Sequence, residues 1–152
     1  MRRISGWGMV LVFVAMTAGA CASMQAPTPV AMPSLYRRLG GREGIAIVVN
    51  DFAANMVSDP RVNDRFKDKK PAELEAFKSK VADQICEATG GPCSYYGKDM
   101  KTAHEGMRIT EAEWNATVEN LVKALDKNNV DARSKQELLA ALGPMKKDIV
   151  GQ

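Results

Sequence analysis

The sequence predicts a single all-helical (all-α) domain that follows an N-terminal export segment. From residue 34 onward, apolar residues recur at steps of three and four, which is the period of amphipathic helices. No two segments there show the alternation of apolar and polar residues that is typical of paired β-strands. The chain of 152 residues fits one domain, and the roughly 120 residues after the export segment can bury a core.

Residues 1–21 have the three-part layout of a bacterial signal peptide. Two arginines precede the apolar run 9–16, and small residues at 17–20 lead to Cys21. The apolar run is shorter than the ~20 residues that a membrane-spanning helix needs, which favours a cleaved signal. An uncleaved membrane anchor is the alternative interpretation of the same segment.

Cys21 resembles the lipidated cysteine that begins a mature bacterial lipoprotein. One departure from that pattern is Ala18, which stands where leucine is usual. Residues 22–33 are rich in Ala, Pro, Met, Ser and Thr and have no apolar periodicity, as expected of a flexible linker. The resemblance implies export to the periplasm and attachment to a membrane through lipidated Cys21, with the folded domain at 34–150.

Cys86 and Cys93 are the two remaining cysteines and stand seven positions apart. In an oxidising compartment they can form a disulfide. A reduced pair is the alternative, because spacing alone does not fix the geometry. A metal site at these thiols is disfavoured, since no other cysteine or histidine stands at ligand spacing beside them.

The first part of the domain is predicted to hold four helices, over 34–39, 42–58, 71–88 and 99–106. Ser34 can cap the first helix, and Gly40-Gly41 separates it from the second. Pro71 opens the third helix, and Thr89-Gly90-Gly91-Pro92 ends it. Apolar side chains share one face of that third helix: Leu74, Phe77, Val81, Ile85 and Ala88.

Two further helices complete the predicted domain. Thr110 and Glu113 form a capping-box pattern at the start of the fifth helix. Ser134, together with Glu137, is expected to cap the last helix. Gly143-Pro144 should kink that helix or break it in two.

The common enzyme signatures are missing from the sequence. Both signs of charge are mixed along the chain, whose formal net charge is +3, so nucleic-acid binding is not favoured. There is no nucleophile elbow, phosphate-binding loop or dinucleotide fingerprint. His104 is the only histidine. By pattern alone it is typical of a surface or half-buried helix residue, although one neutral imidazole is enough to hold a haem iron.

Several short motifs give a family resemblance through their order and spacing. In chain order they are Leu35-Tyr36-Arg37-Arg38-Leu39-Gly40-Gly41, Val48 to Phe52, Thr89-Gly90-Gly91-Pro92, Tyr96 to His104, and Met107-Arg108-Ile109-Thr110. Together they resemble a truncated haemoglobin, most similar to group I, over essentially the whole domain. No one motif is specific by itself.

That resemblance implies a truncated globin, a two-over-two helical sandwich around haem b. His104 falls at the position of the proximal iron ligand. Phe66 matches an aromatic side chain that packs against the haem, and Phe52 matches the apolar wall of the family. Gly40-Gly41 would lie between the first two helices, and Gly90-Gly91 would end the distal helix and let the chain pass under the haem.

The distal side departs from the family pattern. Ala53 stands where group I proteins often carry a tyrosine that donates a hydrogen bond to the oxygen ligand. Val81 stands at the place of a frequent glutamine, and Phe77 faces the iron one helical turn earlier. Lys80 and Gln84 are the polar candidates nearby. Lys80 is expected to be solvated, with contact to a haem propionate or to the gas ligand as alternatives.

Three functions remain open at this point. The first is a haem globin that binds oxygen, nitric oxide or carbon monoxide, and that with a partner reductase could convert nitric oxide to nitrate. The second is a haem redox or peroxidase-like protein of the cell envelope, which an apolar distal pocket disfavours. The third is a helical lipoprotein without haem, in which His104 and the glycine pairs share no role.

Overall fold

The computed structural model describes residues 32–152. The predictions for residues 1–21, and for the linker as far as residue 31, lie outside the described residues. The described part forms six α-helices: α1 (Leu35–Arg38), α2 (Gly41–Ser58), α3 (Pro71–Ala88), α4 (Met100–His104), α5 (Glu111–Lys127) and α6 (Ala132–Leu142). Short 3-10 helices cover Asn63–Arg65 and Gly143–Asp148. Within 32–152 there is no strand, and no helix there is long and apolar enough to cross a membrane.

Most helix boundaries follow the local signals in the sequence. Ser34 caps α1 through its side chain. Thr110 and Glu113 form the predicted capping box at the start of α5, where the Glu113 N–H donates to Thr110 Oγ1 at 3.2 Å. Helix α6 ends at Leu142, and a 3-10 helix follows it, so the predicted break at Gly143-Pro144 is confirmed.

The start of α6 differs from the prediction. The helix begins at Ala132, and its N-cap is Asp131 rather than Ser134 with Glu137. The Asp131 carboxylate accepts hydrogen bonds from the Ser134 N–H at 3.0 Å and from its hydroxyl at 2.6 Å. The Ser134 hydroxyl in turn accepts from Arg38 at 3.0 Å. The prediction was wrong because an ionised aspartate three residues earlier makes the stronger cap.

The helices form two layers. Helix α2 packs on α3 within one layer, while α2 lies on α5 and α3 lies on α6 between the layers. The core between them contains Ile45, Val48, Val49, Phe52 and Met56 of α2, Ile85 of α3, Leu121, Ala124 and Leu125 of α5, and Leu138 of α6. This arrangement confirms the predicted two-over-two helical sandwich.

A buried polar side chain, Asn120, joins the middle of α5 to the end of α2. It is only 2% exposed. Its Nδ2 donates to Asp59 at 2.8 Å, and its backbone carbonyl accepts from Asn55 Nδ2 at 3.1 Å. Hydrogen bonds from Arg61 and then from Asn120 hold the pKa of the Asp59 carboxyl well below its usual range. Because the buried amide of Asn120 has hydrogen-bond partners, this residue connects the two layers by specific hydrogen bonds.

Candidate functional site

His104 is the last residue of α4 and is half-buried. Asp99 caps this helix: its carboxylate accepts hydrogen bonds from the Thr102 N–H at 3.0 Å and from the Thr102 hydroxyl at 2.7 Å. These bonds from Thr102 lower the pKa of the Asp99 carboxyl. The helix that carries His104 therefore begins at an ionised cap.

The ring of His104 is oriented by its own helix. Its Nδ1 lies 2.8 Å from the carbonyl oxygen of Met100. Because a carbonyl oxygen only accepts, Nδ1 carries the proton in the neutral ring and Nε2 keeps its lone pair. Metal-binding histidines commonly have this arrangement, in which the second nitrogen is held by a hydrogen bond. The local structure thus leaves Nε2 as a single metal-binding atom.

Helix α3 contacts α4 through the side chains of Gln84 and Met100. Gln84 Nε2 on α3 lies 3.3 Å from the sulfur of Met100 on α4, within reach of a weak N–H···S hydrogen bond. Val81 is one turn before Gln84, and Phe77 is one turn earlier on the same face. His104 is one turn after Met100. The predicted distal positions and the predicted iron ligand therefore lie on two helices that touch at Gln84 and Met100.

Aromatic side chains lie together at this part of the fold. The rings of Phe66 and Phe77 meet edge to face, with centroids 5.4 Å apart and an angle of 70° between their planes. Both side chains are half-buried and pack against the core, as does Val81. Phe52 belongs to the core itself and is 6% exposed. The structure thus joins Phe66 to Phe77, and Phe52 lies in the buried core against which they pack.

The polar candidates of this region have different surroundings. Lys80 is exposed, in agreement with the expected solvated lysine. Gln84 directs its amide donor to Met100. Ala53 is 1% exposed and brings no polar atom from its side chain. No hydrogen-bond donor therefore comes from the positions of Ala53, Phe77 and Val81.

Cys86 and Cys93 form a disulfide, with their Cα atoms 5.8 Å apart. It joins the last turn of α3 to the loop that leads to α4. Cys86 is fully buried, and a Cβ on Gly91 would lie 2.5 Å from its sulfur, so only glycine fits there. Arg42 donates to the Cys93 sulfur at 3.0 Å and pairs with Asp83 at 2.8 Å. Of the two states that the spacing left open, the structure has the oxidised one.

The segment after His104 is held by a contact that sequence reasoning missed. Ile109 forms an isolated parallel bridge with Val150. The preceding residue, Arg108, has φ of 49°, in the left-handed region that non-glycine residues seldom occupy. A bridge of one residue on each side leaves no periodic pattern, so the sequence offered no signal for it.

The donor set of this region fits haem better than a bare metal ion. In the described part of the chain, no three His, Cys, Asp or Glu side chains group as a metal site. One neutral imidazole is enough for a haem iron, as in globins. The half-buried apolar side chains of Phe66, Phe77 and Val81 suit the faces of a flat, mostly apolar group.

Residues 34–150 of this chain match the family described as bacterial-like globin. A group 1 truncated haemoglobin of Mycolicibacterium paratuberculosis is 29% identical over 116 residues, which cover 76% of this chain and 83% of the relative. A group 1 truncated haemoglobin of Chlamydomonas moewusii is 30% identical over 135 residues, which cover 88% of this chain and 77% of the relative.

Solved structures show the same likeness. The truncated haemoglobin of Tetrahymena pyriformis in its Fe(III) form superposes with a TM-score of 0.74 at 28% identity, covering 79% of this chain and all (100%) of that one. The 2/2 haemoglobin of a Synechococcus species, in the cyanomet state with covalently attached haem, gives a TM-score of 0.70 at 29% identity, covering 78% and 98%. The similarity extends over the helical domain.

Proposed function

The chain belongs to the bacterial-like globin family, and we propose that His104 is the residue through which it holds the haem iron. It is a haem-binding globin that binds diatomic gases, with haem b as its cofactor and group 1 truncated haemoglobins among its relatives. Family membership removes the alternative of a helical lipoprotein without haem. One observation carries the proposal: the hydrogen bond between His104 Nδ1 and the Met100 carbonyl, which leaves Nε2 available.

In the proposed site, the chain supplies one iron ligand and an apolar wall. When bound, haem supplies an iron with an open coordination position for a diatomic gas. His104 Nε2 is the assigned ligand. Phe77 and Val81, on the helix that faces α4, form the wall, and Phe66 supports Phe77 by edge-to-face contact. Phe52 belongs to the buried core and is assigned to the apolar surroundings of the haem.

Lys80 is assigned to a haem propionate. It is exposed and adjacent in sequence to half-buried Val81, so this residue stands at the border between the proposed wall and water. A charged pair with a carboxylate suits that border, because both groups stay partly hydrated. The exposure of Lys80 disfavours a direct contact with the gas ligand.

The gas side of the proposed site should hold oxygen loosely. The Ala53 and Val81 side chains offer no hydroxyl or amide, and Phe77 adds none. A single hydrogen bond at such a place contributes about 0.5–1.5 kcal/mol in ordinary sites. Without that bond, we propose fast oxygen release and a reduced preference for oxygen over nitric oxide or carbon monoxide.

Conversion of nitric oxide is the enzymatic extension of this proposal. Nitric oxide, dioxygen and one electron combine to nitrate, and a partner reductase would supply the electron. An apolar wall that does not favour oxygen by hydrogen bonding leaves the site open to both gases. Peroxidase-like chemistry is disfavoured, since it needs acid–base side chains near the iron, whereas Phe77 and Val81 have none.

The assignment of His104 can be tested on the full chain expressed with haem supplied. Absorption spectra of the reduced protein should show a sharp Soret band that shifts when carbon monoxide is added. His104→Gly should lose this normal spectrum and recover it with added imidazole, which replaces the missing ring. Lys101→Gln, an exposed change on the same helix, is the matched control. An unchanged spectrum in His104→Gly would mean that another residue holds the iron.

We also propose that the chain is exported to the periplasm and anchored by lipidated Cys21. The signal-peptide pattern of residues 1–21 supports export, and so does the Cys86–Cys93 disulfide, because such bonds persist in oxidising compartments. Mass spectrometry of the protein from a Gram-negative host should find a mature chain that begins with acylated Cys21. Cys21→Ser should abolish the acylation, and a chain that retains residues 1–20 would contradict the proposal.

A further inference from the structure

The helix that carries His104 is too short to hold itself in place. Helix α4 has 5 residues, none of them fully buried. Isolated helices shorter than about 12–15 residues are marginal even in favourable sequences. The position of His104 must therefore depend on contacts at the two ends of α4. Before the helix, the Asp99 cap and the disulfide at Cys93 restrain the chain.

After the helix, the chain is fastened to a distant segment by backbone hydrogen bonds. The Arg108 N–H donates to the carbonyl of Gln152, and the Gly151 N–H donates to the carbonyl of Ile109 at 2.9 Å. Ile109 and Val150 form the parallel bridge between these bonds. We call these five residues, 108–109 and 150–152, the proximal clasp. It begins four residues after His104.

The clasp continues into other contacts on both sides. The Met107 N–H donates to the His104 carbonyl at 3.0 Å, which connects the clasp directly to the end of α4. The Val150 N–H donates to the Lys146 carbonyl at 2.9 Å, and Lys146 pairs with Glu111 at 2.5 Å. The 3-10 helix Gly143–Asp148 also packs against α4. The segment after α6 therefore contacts both the helix of His104 and the chain that follows it.

Two residues of the clasp have positive φ angles, which shows that its backbone has one defined conformation. Arg108 has φ of 49° and Gly151 has φ of 81°. A non-glycine residue in the left-handed region costs free energy and persists only where surrounding contacts enforce it. At Arg108 the enforcing contact is the hydrogen bond from its own N–H to Gln152.

We propose that the proximal clasp is the positioning device for His104. By fixing the chain immediately after α4, it holds the imidazole where Nε2 can bind the iron, so haem retention depends on residues 150–152. The part of this inference that concerns haem rests on the proposed function of His104. The effect of the clasp on the mobility of α4 does not depend on that function. Haem retention and the mobility of α4 can be measured separately.

A pair of variants at one position tests the clasp. Arg108→Pro removes the N–H and cannot adopt a positive φ, whereas Arg108→Gly keeps the N–H and favours that φ. In the full chain without haem, Arg108→Pro should speed hydrogen exchange at the Ala103 and Met107 amides by about five-fold, as expected for one lost hydrogen bond. Exchange at Val49, in the core of α2, should not change. Arg108→Gly should leave all three amides unchanged.

The same variants are then compared with haem bound. Transfer of haem to an excess of a second apoglobin should be several-fold faster from Arg108→Pro than from Arg108→Gly. If Arg108→Pro does not fold, Gly151→Pro replaces it, because that change removes the other N–H at a site beyond the last helix.

Two results would overturn the inference. One is unchanged exchange at Ala103 and Met107 in the proline variant. The other is equal acceleration at Val49, which would mean that residues 150–152 stabilise the whole fold rather than α4. A chain that takes up no haem at all would contradict the proposed function, and the exchange measurement would still decide whether the clasp holds α4.

Discussion

The long helices and the segment that carries His104 are stabilised in different ways. Helices α2 and α3 have 18 residues each, and α5 has 17. They pack along their length and bury a continuous apolar core. Helix α4 has 5 residues and no fully buried side chain, and its restraints are a capped start, a disulfide-linked loop and the proximal clasp.

The long helices provide the stability of the fold, whereas the short helix α4 carries the proposed iron ligand. Side-chain packing along a long helix provides most of its stability in proteins. Segments with few buried apolar contacts open at lower free energy, and ligand-binding parts are often drawn from them. In this globin the core of long helices therefore provides a stable frame, and α4 is the part that we expect to open first.

The largest effect on stability is expected in the frame. Leu125 is fully buried and lines a small apolar cavity together with Ile85 and Leu138. Leu125→Ala should lower the free energy of unfolding by about 2–5 kcal/mol, measured by urea unfolding. Ile47→Ala, on a part of α2 where the side chain is 54% exposed, should change it little. Equal losses in the two variants would contradict the distinction between frame and surface.

Removal of the disulfide should act where the frame joins the α4 segment. The double variant Cys86→Ala/Cys93→Ala opens a short loop and should lower the free energy of unfolding by about 2 kcal/mol. Amide exchange should rise more in α4 than in α5, because the bond restrains the loop that leads to α4. Reduction of the native protein should reproduce this pattern. A uniform rise in amide exchange across all helices would contradict this prediction, because the disulfide would then stabilise the whole fold rather than the segment of α4.

A smaller effect is expected on the gas side of the proposed site. Ala53→Tyr adds a hydroxyl, and Ala53→Phe adds nearly the same volume without it. Oxygen should dissociate about 2- to 10-fold more slowly from the tyrosine variant than from the phenylalanine variant, as expected for about 0.5–1.5 kcal/mol from one hydrogen bond. Stopped-flow measurement gives both rates. Equal rates would show that position 53 does not reach the gas, and the distal assignment would be wrong.

The smallest effect concerns acid conditions and the cap of α4. Hydrogen bonds from Thr102 lower the pKa of the Asp99 carboxyl in the folded chain. Its contribution to stability is therefore fully present above its ordinary pKa of 3.8 and is lost as the pH falls through the lowered value. The Thr102 amide resonance should titrate in that range in the native chain and not in Asp99→Asn. Asp68→Asn, an exposed control outside α4, should leave the titration as it is. Persistence of the titration in Asp99→Asn would exclude the cap as its cause.

The frame could be predicted from sequence because its signals are local. Pro71 marked the start of α3, the Thr110 and Glu113 pair marked the start of α5, and apolar spacing marked the buried faces. One local signal misled: Ser134 has the residue type of a cap, but the ionised Asp131 lies three residues earlier and takes that role. Where two caps compete, the stronger acceptor decides, and residue type alone does not show which one wins.

The site was predictable only in part. The assignment of His104 came from the order and spacing of motifs along the whole domain and stays a prediction, and the oxidised cysteine pair was one of two open alternatives. The clasp joins residue 109 to residue 150 by backbone atoms, which carry no mark of side-chain type. The contact between Gln84 and Met100 likewise depends on how α3 and α4 cross, which periodicity does not fix. Long-range contacts that hold a short helix are therefore the features that needed the structure.

The most direct test of the central claim is the iron–histidine stretching band in the resonance Raman spectrum of the reduced protein without added gas. The native chain should show the band, His104→Gly should lack it, and the band should return in shifted form when imidazole is added to that variant. A native protein without the band, or a His104→Gly protein that keeps it unchanged, would contradict the assignment of His104 as the iron ligand.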